Sequence, residues 1–591
     1  MVNLTINGIS TSVAEGTTIL DAARALGITI PTLCYFEDLN TVGACRICVV
    51  EVEGSDRLEA ACNTPVREGM VVHTNSNRAE TARRANLELI ASTHSFDCCS
   101  CPRGDGSCIL RKLAQRYGIE VDLGKATYEN IAFRGKRAEW PAEPPIQRNA
   151  SKCVHCGRCI AACDKLQDIR VWELDGTGKN THVAITGNRG IAEAGCVACG
   201  QCITHCPTGA LHERDDIDMM FEAFRDPEIT TVIQVAPATR SAWASLFGVE
   251  AGGLGVERMV ACLKAMGADY VFDTNFAADL TIMEEGTELL NIIKNGETEK
   301  LPLFTSCCPG WVNHAVNKWP KYAAHLSSAK SPMQMQGAIT KTWFAEKNGL
   351  DPKKIFSATL MPCTAKKNEI RLPGMQSNEG VYDMDCSLTT REFARMITRS
   401  GIDPFKLEDM PLDDPLGVCT GAGVIFGITG GVMEAALRSA YFFVTGEKPD
   451  PEGFVFKPAE GEGKRPWVEA TFDLAGTPIR CAVASGLANT NRLLDALDRG
   501  DAEYDFVEIM ACPGGCAGGG GQPIDGSDTE QYVERGEVLR TLDRTKYELR
   551  FSHENPVVQA LYAEYFTEPC SELSEKLLHV HERQESKYVP L

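Results

Sequence analysis

The apolar positions of this chain follow one period near its start and another in its second half. In Val2-Asn3-Leu4-Thr5-Ile6 every second residue is aliphatic, which predicts a half-buried strand. Asn7-Gly8 then predicts a tight turn, and 10–13 the returning strand. Residues 18–26 carry helical spacing with Thr17 or Thr18 as cap, and 79–92 predict a basic helix. Residues 121–147 lose all periodicity and gather Pro141, Pro144 and Pro145, the signature of a linker. From Thr230 the pattern becomes α/β. Apolar runs at 231–236, 268–273, 302–305, 356–361 and 507–510 predict strands, and 281–293 predicts one of the helices between them. Three of these strands run directly into cysteine motifs, and the ends of strands in an open α/β sheet are where sites form.

A chain of 591 residues with 43% hydrophobic content exceeds one core and divides into domains. A net charge of −21 argues against nucleic acid, whose phosphates it would repel. The start, MVNLTINGIS, has no basic n-region followed by an apolar stretch, so no secretory signal is expected. Apolar windows such as 421–432 are short and glycine-rich, so no membrane span is expected either. In a chain with this cytoplasmic character, 26 cysteines read as metal ligands and not as disulfides.

The cysteines fall into sets. Cys34, Cys45, Cys48 and Cys62 are spaced C-x10-C-x2-C-x13-C, without the two symmetric CxxC knuckles of a zinc ribbon. His94, Cys98, Cys101 and Cys108 put one imidazole at ligand spacing before three thiols, with Cys99 a bystander. Cys153, Cys156, Cys159 and Cys163 are repeated as Cys196, Cys199, Cys202 and Cys206. This duplication resembles the bacterial two-cluster ferredoxin, in which the fourth cysteine of each run ligates the other cluster. The resemblance thus assigns Cys153, Cys156, Cys159 and Cys206 to one cube and Cys196, Cys199, Cys202 and Cys163 to the other. The two earlier sets resemble the N-terminal [2Fe–2S] and His/Cys3 [4Fe–4S] domains of the large iron–sulfur subunit of respiratory NADH dehydrogenase. Clusters in such an order suggest a series path for single electrons toward the second half.

There the motifs are Thr305-Ser306-Cys307-Cys308-Pro309-Gly310-Trp311, Met361-Pro362-Cys363-Thr364-Ala365-Lys366-Lys367, and Met510-Ala511-Cys512-Pro513-Gly514-Gly515-Cys516 followed by Ala517 and glycines 518–521. Cys308, Cys363, Cys512 and Cys516 are four thiols from three separated segments, a set suited to an iron–sulfur cube or a zinc ion. These motifs resemble the signature of the iron-only ([FeFe]) hydrogenases. The resemblance implies an H-cluster: a [4Fe–4S] cube on these four cysteines, bridged through Cys516 to a two-iron subsite with CO, cyanide and a dithiolate amine. It implies one [2Fe–2S] and three accessory [4Fe–4S] clusters besides. It makes Cys307 a proton donor and continues the path through water to Glu285, Ser327 and Glu288. Lys366 would donate to a cyanide, Ala236, Pro237 and Ser331 would contact the subsite, and Met361, Phe426 and Met510 would pack on it. The family's basic residue four beyond Glu288 is replaced by Ile292. The glycines 518–521 would let the backbone approach a bulky cofactor. Lys367 is expected at the surface, and Cys262, Cys386, Cys419, Cys481 and Cys570 as packing.

The expected fold is multidomain α+β and α/β. It comprises a ferredoxin-like β-grasp domain (1–78), a His/Cys cluster domain (79–120), the linker (121–147) and a two-[4Fe–4S] ferredoxin domain (148–215). A two-lobed α/β hydrogenase domain (228–525) and a small-subunit-like helical segment (526–591) follow. The expected activity is reversible H2 oxidation and proton reduction. Ferredoxin, or flavin- and NAD(P)-binding iron–sulfur subunits of a hetero-oligomer, would exchange the electrons, and maturation proteins would supply the diiron subsite. The glycine runs at 421–423 and 518–521 lack the strand-turn-helix frame of a nucleotide site, so any pyridine nucleotide belongs to another subunit. The competing reading, a silent electron-transfer subunit of a larger dehydrogenase, accounts for residues 1–210 but not for the motifs after 305.

Overall fold

The computed structural model describes residues 1–104, 106–119, 140–461, 465–581 and 583. At the start, β1 (Val2–Ile6) and β2 (Ile9–Val13) pair antiparallel through a two-residue turn, Asn7 (φ 49) and Gly8 (φ 83). Both turn residues are left-handed, the geometry that matches the strands' own twist. They join β3 (Val49–Val52), β4 (Glu59–Ala60) and β5 (Met70–His73) in a sheet of order β2-β1-β5-β3-β4. The helix Ile19–Ala25 starts where the Thr18 hydroxyl accepts the Asp21 amide at 3.2 Å. Its Ile19, Leu20, Ala22 and Ala23 are buried with Leu4, Ile6, Val50 and Val72.

Residue 120 and, of the expected linker, residues 121–139 lie outside the described residues. Its end is not linker: β6 (Ile146–Arg148) pairs antiparallel with β9 (Leu211–Glu213), closing the duplicated cysteine runs into one unit. Between them β7 (Trp172–Asp175) and β8 (His182–Ile185) form a hairpin.

The second half contains two sheets. β10 (Thr230–Val235), β11 (Tyr270–Asp273), β13 (Ile355–Met361) and β14 (Cys386–Thr389) are all parallel, in the order β11-β10-β13-β14. β12 (Leu303–Phe304), β15 (Lys457–Pro458), β16 (Val468–Leu474), β17 (Thr477–Ser485) and β18 (Phe506–Met510) are ordered β12-β18-β17-β16-β15. This sheet is mixed, since β16 runs antiparallel to β17. The central strands β10, β13 and β18 are almost wholly buried, as strands covered on both faces must be. The helix expected over 281–293 is Thr274–Asn295, because Asp273 at the end of β11 caps it by accepting the Asn275 amide at 3.0 Å.

Burial of charge is unusually frequent around the strand ends. Lys367, expected at the surface, is buried between Asp216 (2.7 Å) and Glu392 (2.9 Å). Arg240 pairs with Asp273 at 2.7 Å, and Lys330 with Asp383 at 2.9 Å. Removing one partner of such a pair strands the other charge, so Lys330→Ala is expected to cost about 3–5 kcal/mol. Chemical denaturation checks this, and a paired Lys330→Met, Asp383→Leu variant should regain most of the loss.

The C-terminal helices Pro556–Leu561 and Glu572–Leu578 lay Val558, Leu561, Leu577 and Leu578 into one core with Phe276, Leu280 and Met335. Residues 582 and 584–591 lie outside the described residues. Among the described residues no helix is long and apolar enough to cross a membrane.

Candidate active site

β13 of one sheet and the neighbouring β12 and β18 of the other each deliver a cysteine to one cavity. The chain leaves β12 through Thr305 and Ser306 to Cys307 and Cys308, and Cys308 is the N-cap of the helix Pro309–Lys318. β13 leads through Pro362 to Cys363, and β18 through Ala511 to Cys512. The single turn Gly515–Gly518 then holds Cys516. Cys307, Cys308, Cys363, Cys512 and Cys516 all line one cavity of about 80 Å³. A water needs roughly 10–15 Å³ by this measure, so the space suits a polyatomic group. Ala236, Pro237, Met361, Lys366, Phe426 and Met510 line it too, as do Pro332 and Met333, which the sequence did not single out. Ser331, beside Pro332, does not line the cavity, but its buried hydroxyl has no hydrogen-bond partner among the described residues.

The donor set fits an iron cluster. Burial pushes the Cys363 thiol up to about 11 and raises those of Cys308, Cys512 and Cys516 as well. Such thiols become thiolates only when a metal supplies the opposing charge. The Lys366 ammonium donates to the Cys307 carbonyl at 3.2 Å and pairs with Glu369 at 2.7 Å, which keeps a buried cation at the rim. The glycines 518–521 answer mainly to a different demand from the expected one. A Cβ on Gly518 would sit 2.0 Å from the Pro513 carbonyl oxygen, and one on Gly520 2.2 Å from that of Cys199. The run is packed against protein backbone, and Gly519 is its member facing the cavity.

Behind Cys307 runs a polar track. Burial raises the Cys307 thiol well above its usual range, with the Glu285 charge adding to the effect. Glu285 lies on the helix Thr274–Asn295, and neither carboxyl oxygen has a hydrogen-bond partner among the described residues. Burial, then the neighbouring Glu288 charge, pushes its pKa up to about 8, although Ser327 and the Ser306 backbone pull the other way. The Ser327 hydroxyl donates to Glu288 Oε2 at 2.6 Å. Glu288 lines an open cavity of about 550 Å³ together with Ile292, Lys300, His325, His581 and Arg583. Ile292 brings no cation here, but four basic side chains from other segments line the same cavity, including Arg583, which donates to the Ser327 carbonyl at 2.8 Å. Spacing on one helix gave no signal for any of them.

The accessory cysteines also gather. Cys153, Cys156, Cys159 and Cys206 line one small cavity. Cys163 lies instead within electrostatic reach of Cys196, Cys199 and Cys202, the crossed grouping that the ferredoxin resemblance implies. Cys34 lies beside Cys45, and Cys48 beside Cys62. Cys98 and Cys108 share a core with Cys45 in their company, and His94 is buried against Phe96. The contacts between the sets branch, where chain order suggests a simple series. Asn40 Nδ2 donates to the carbonyls of Cys34 (2.6 Å) and Cys156 (3.0 Å), joining the first set to the third. From the second set, Arg103 donates to the Cys206 carbonyl at 2.7 Å, and a Cβ on Gly209 would fall 2.5 Å from Cys101 Sγ. Both N-terminal sets therefore meet the same group. On the far side, Cys512 Sγ lies 3.9 Å from the Cys199 carbonyl oxygen.

Of the cysteines expected only to pack, Cys262, Cys386 and Cys481 lie in cores. Cys419 instead donates to Asp273 at 3.5 Å, and Cys570 to the Glu284 carbonyl at 3.6 Å.

Residues 229–520 match the family described as iron only hydrogenase large subunit, C-terminal domain, and 529–581 match iron hydrogenase small subunit. Residues 1–77 match a 2Fe-2S iron-sulfur cluster binding domain, 83–122 the NADH-ubiquinone oxidoreductase-G iron-sulfur binding region, and 152–210 a 4Fe-4S dicluster domain. The chain is 43% identical to NADP-reducing hydrogenase subunit HndD of Solidesulfovibrio fructosivorans over 590 residues, 98% of each chain. It is 37% identical to iron hydrogenase 1 of Clostridium pasteurianum, covering 98% of this chain and 99% of that one. The solved [FeFe]-hydrogenase HydA1 from Chlamydomonas reinhardtii superposes with a TM-score of 0.56 at 35% identity, covering 63% of this chain and 99% of that one. Likeness that extends through every cysteine set to the cavity where three strands end has one meaning: the chain belongs to the iron-only, or [FeFe], hydrogenases and is a hydrogenase enzyme.

Proposed function

We propose that this hydrogenase interconverts protons and H2 on an H-cluster held by Cys308, Cys363, Cys512 and Cys516, and trades its electrons with NAD(P)-linked partner subunits. The observation that carries the reading is the convergence of these four thiols with a fifth, Cys307, on one buried cavity. When bound, the cluster supplies the redox chemistry of 2 H⁺ + 2 e⁻ ⇌ H2. The chain's own part is to hold, exclude water and move protons. Lys366 presents its ammonium to an anionic ligand, a charge-assisted contact. Met361, Phe426 and Met510 keep the lining dry. Cys307 hands protons inward, Glu285 supplies them, and Ser327 and Glu288 connect Glu285 to the surface.

One [2Fe–2S] and three [4Fe–4S] clusters on the four accessory sets complete the electron path, and the fork supports two points of entry. The chain holds no nucleotide motif, while a relative matched over its whole length is named an NADP-reducing hydrogenase subunit. A flavin-bearing partner at one arm of the fork answers both facts. The free cysteines suit the cytoplasm. Purification of the native assembly tests the partner: co-purified flavoprotein with H2-dependent NAD(P) reduction is expected. A lone chain that reduces ferredoxin directly would replace that partner with ferredoxin.

The Glu285 pKa near 8 sets a pH dependence. Below that value the residue holds its proton and can donate; above it the carboxylate must first be recharged. Proton-reduction turnover is therefore expected to fall as pH rises through about 8. Glu285→Gln should be slow at every pH and flatten this limb, which a pH–rate series on a reduced dye would read.

A further inference from the structure

The proposed relay reaches a second set of groups beyond Glu288. Ser328, next to Ser327, donates its hydroxyl to Glu288 Oε1 at 2.9 Å and lies 2.8 Å from His579 Nδ1. The other ring nitrogen of His579 is 3.0 Å from Glu284 Oε2. Glu284 also accepts from the Tyr562 hydroxyl at 2.5 Å, the Cys570 amide at 2.7 Å and the Ser574 hydroxyl at 3.3 Å. Both His579 and Glu284 are fully buried. Burial works against a charged imidazole, but the hydrogen bond and charge of Glu284 outweigh it, and the His579 pKa lies above the ordinary histidine value. Outward, Glu575 Oε2 lies 3.9 Å from His579 Nδ1 and 2.9 Å from His581 Nε2. The His581 side chain is 66% exposed, and the two imidazoles stack 6.3 Å apart.

We infer that the C-terminal segment supplies a second outlet of the proton path, running Glu288–Ser328–His579–Glu575–His581. It rests on the relay proposed above. Inward, a proton taken up by His581 passes to the Glu575 carboxylate and on to His579 Nδ1. Nδ1–H is then given to Ser328 Oγ while the Ser328 hydroxyl proton moves to Glu288. His581, Glu575 and His579 return to their starting protonation, Ser328 keeps one hydroxyl proton, now on its His579 side, and Glu288 holds the transferred proton; the outward run reverses the steps. The 3.9 Å gap exceeds a hydrogen bond, and rotation of the half-exposed Glu575 side chain closes it. The open cavity beside Glu288 provides the parallel route.

A clasp that merely fastened the segment would need the hydrogen bonds of His579 but not its titration. His579→Gln keeps a donor and an acceptor and removes the titration. His581→Ala removes the surface station without touching the core. Both are made in the matured full chain and compared with Glu288→Gln by turnover, pH–rate profile and the infrared carboxyl band of Glu288. The expected result is about a tenfold slower proton reduction in His579→Gln and a smaller loss in His581→Ala, less than a full acid–base contribution because the cavity remains. The Glu285 limb should remain, a separate dependence on His579 should disappear from the pH profile, and the Glu288 band should shift in His579→Gln. An unmoved pH profile and band in His579→Gln, whatever its rate, overturns the outlet. If Glu288→Gln is slow in that case, the relay itself stands; if it too runs at full rate, the relay falls with the outlet.

Discussion

Cys307→Ala is expected to lower H2 turnover by about 10²–10⁴-fold, the usual worth of a positioned proton donor, while leaving the iron content unchanged. The two halves of this expectation come from separate observations. Cys307 is adjacent to Cys308 in sequence, but Cys308 opens the helix Pro309–Lys318, whereas the Cys307 thiol senses Glu285 as its strongest charged neighbour. A protonated thiol beside the Glu285 carboxyl is a usable acid. Cys307→Ala also removes one sulfur from a cavity that keeps four others, so the cluster should load and its CO and cyanide infrared bands should persist. Full turnover in the variant would remove Cys307 from the relay. Lost bands would recast it as a ligand.

Cys516→Ala is expected to do the opposite: activity disappears together with the diiron subsite. Cys516 sits on the short turn Gly515–Gly518, with Gly515 at φ 73 and its Cβ position 2.7 Å from the Ile428 carbonyl carbon. That turn has little freedom to offer a substitute ligand. The accessory sets lie on other segments, so their clusters should survive. Iron analysis should therefore show loss confined to the catalytic site, and spectra of the reduced accessory clusters should match those of the wild type. A variant that kept the CO and cyanide bands would place the bridge on another cysteine.

The grouping of the cysteines was legible because ligand spacing is local within each accessory set and because strand ends announce themselves by their apolar runs. The crossed grouping of Cys163 and Cys206 was expected only through the resemblance of the duplication to a two-cluster ferredoxin. The fork was not legible. It depends on Asn40 and Arg103, whose contacts with the carbonyls of Cys156 and Cys206 span 116 and 103 residues. Chain order carries no record of such contacts. Lys367 was misplaced for a related reason: a lysine is read as exposed unless its counter-charges are seen, and Asp216 and Glu392 come from separate elements. The basic side chains beside Glu288 were missed because the expected cation was sought one helical turn beyond Glu288. The fold supplies it instead from the C-terminal segment, at His581 and Arg583. The glycines 518–521 were seen, but their main role was not, since only the packed backbone shows that Cys199 lies against Gly520.

The central claim is that four thiols from three strand ends hold one iron cube that shares Cys516 with a diiron unit. Infrared spectroscopy of the fully matured chain tests it most directly. The account predicts sharp bands of metal-bound CO and cyanide that vanish in Cys516→Ala and persist in Cys307→Ala. An active, iron-replete enzyme without such bands would contradict it.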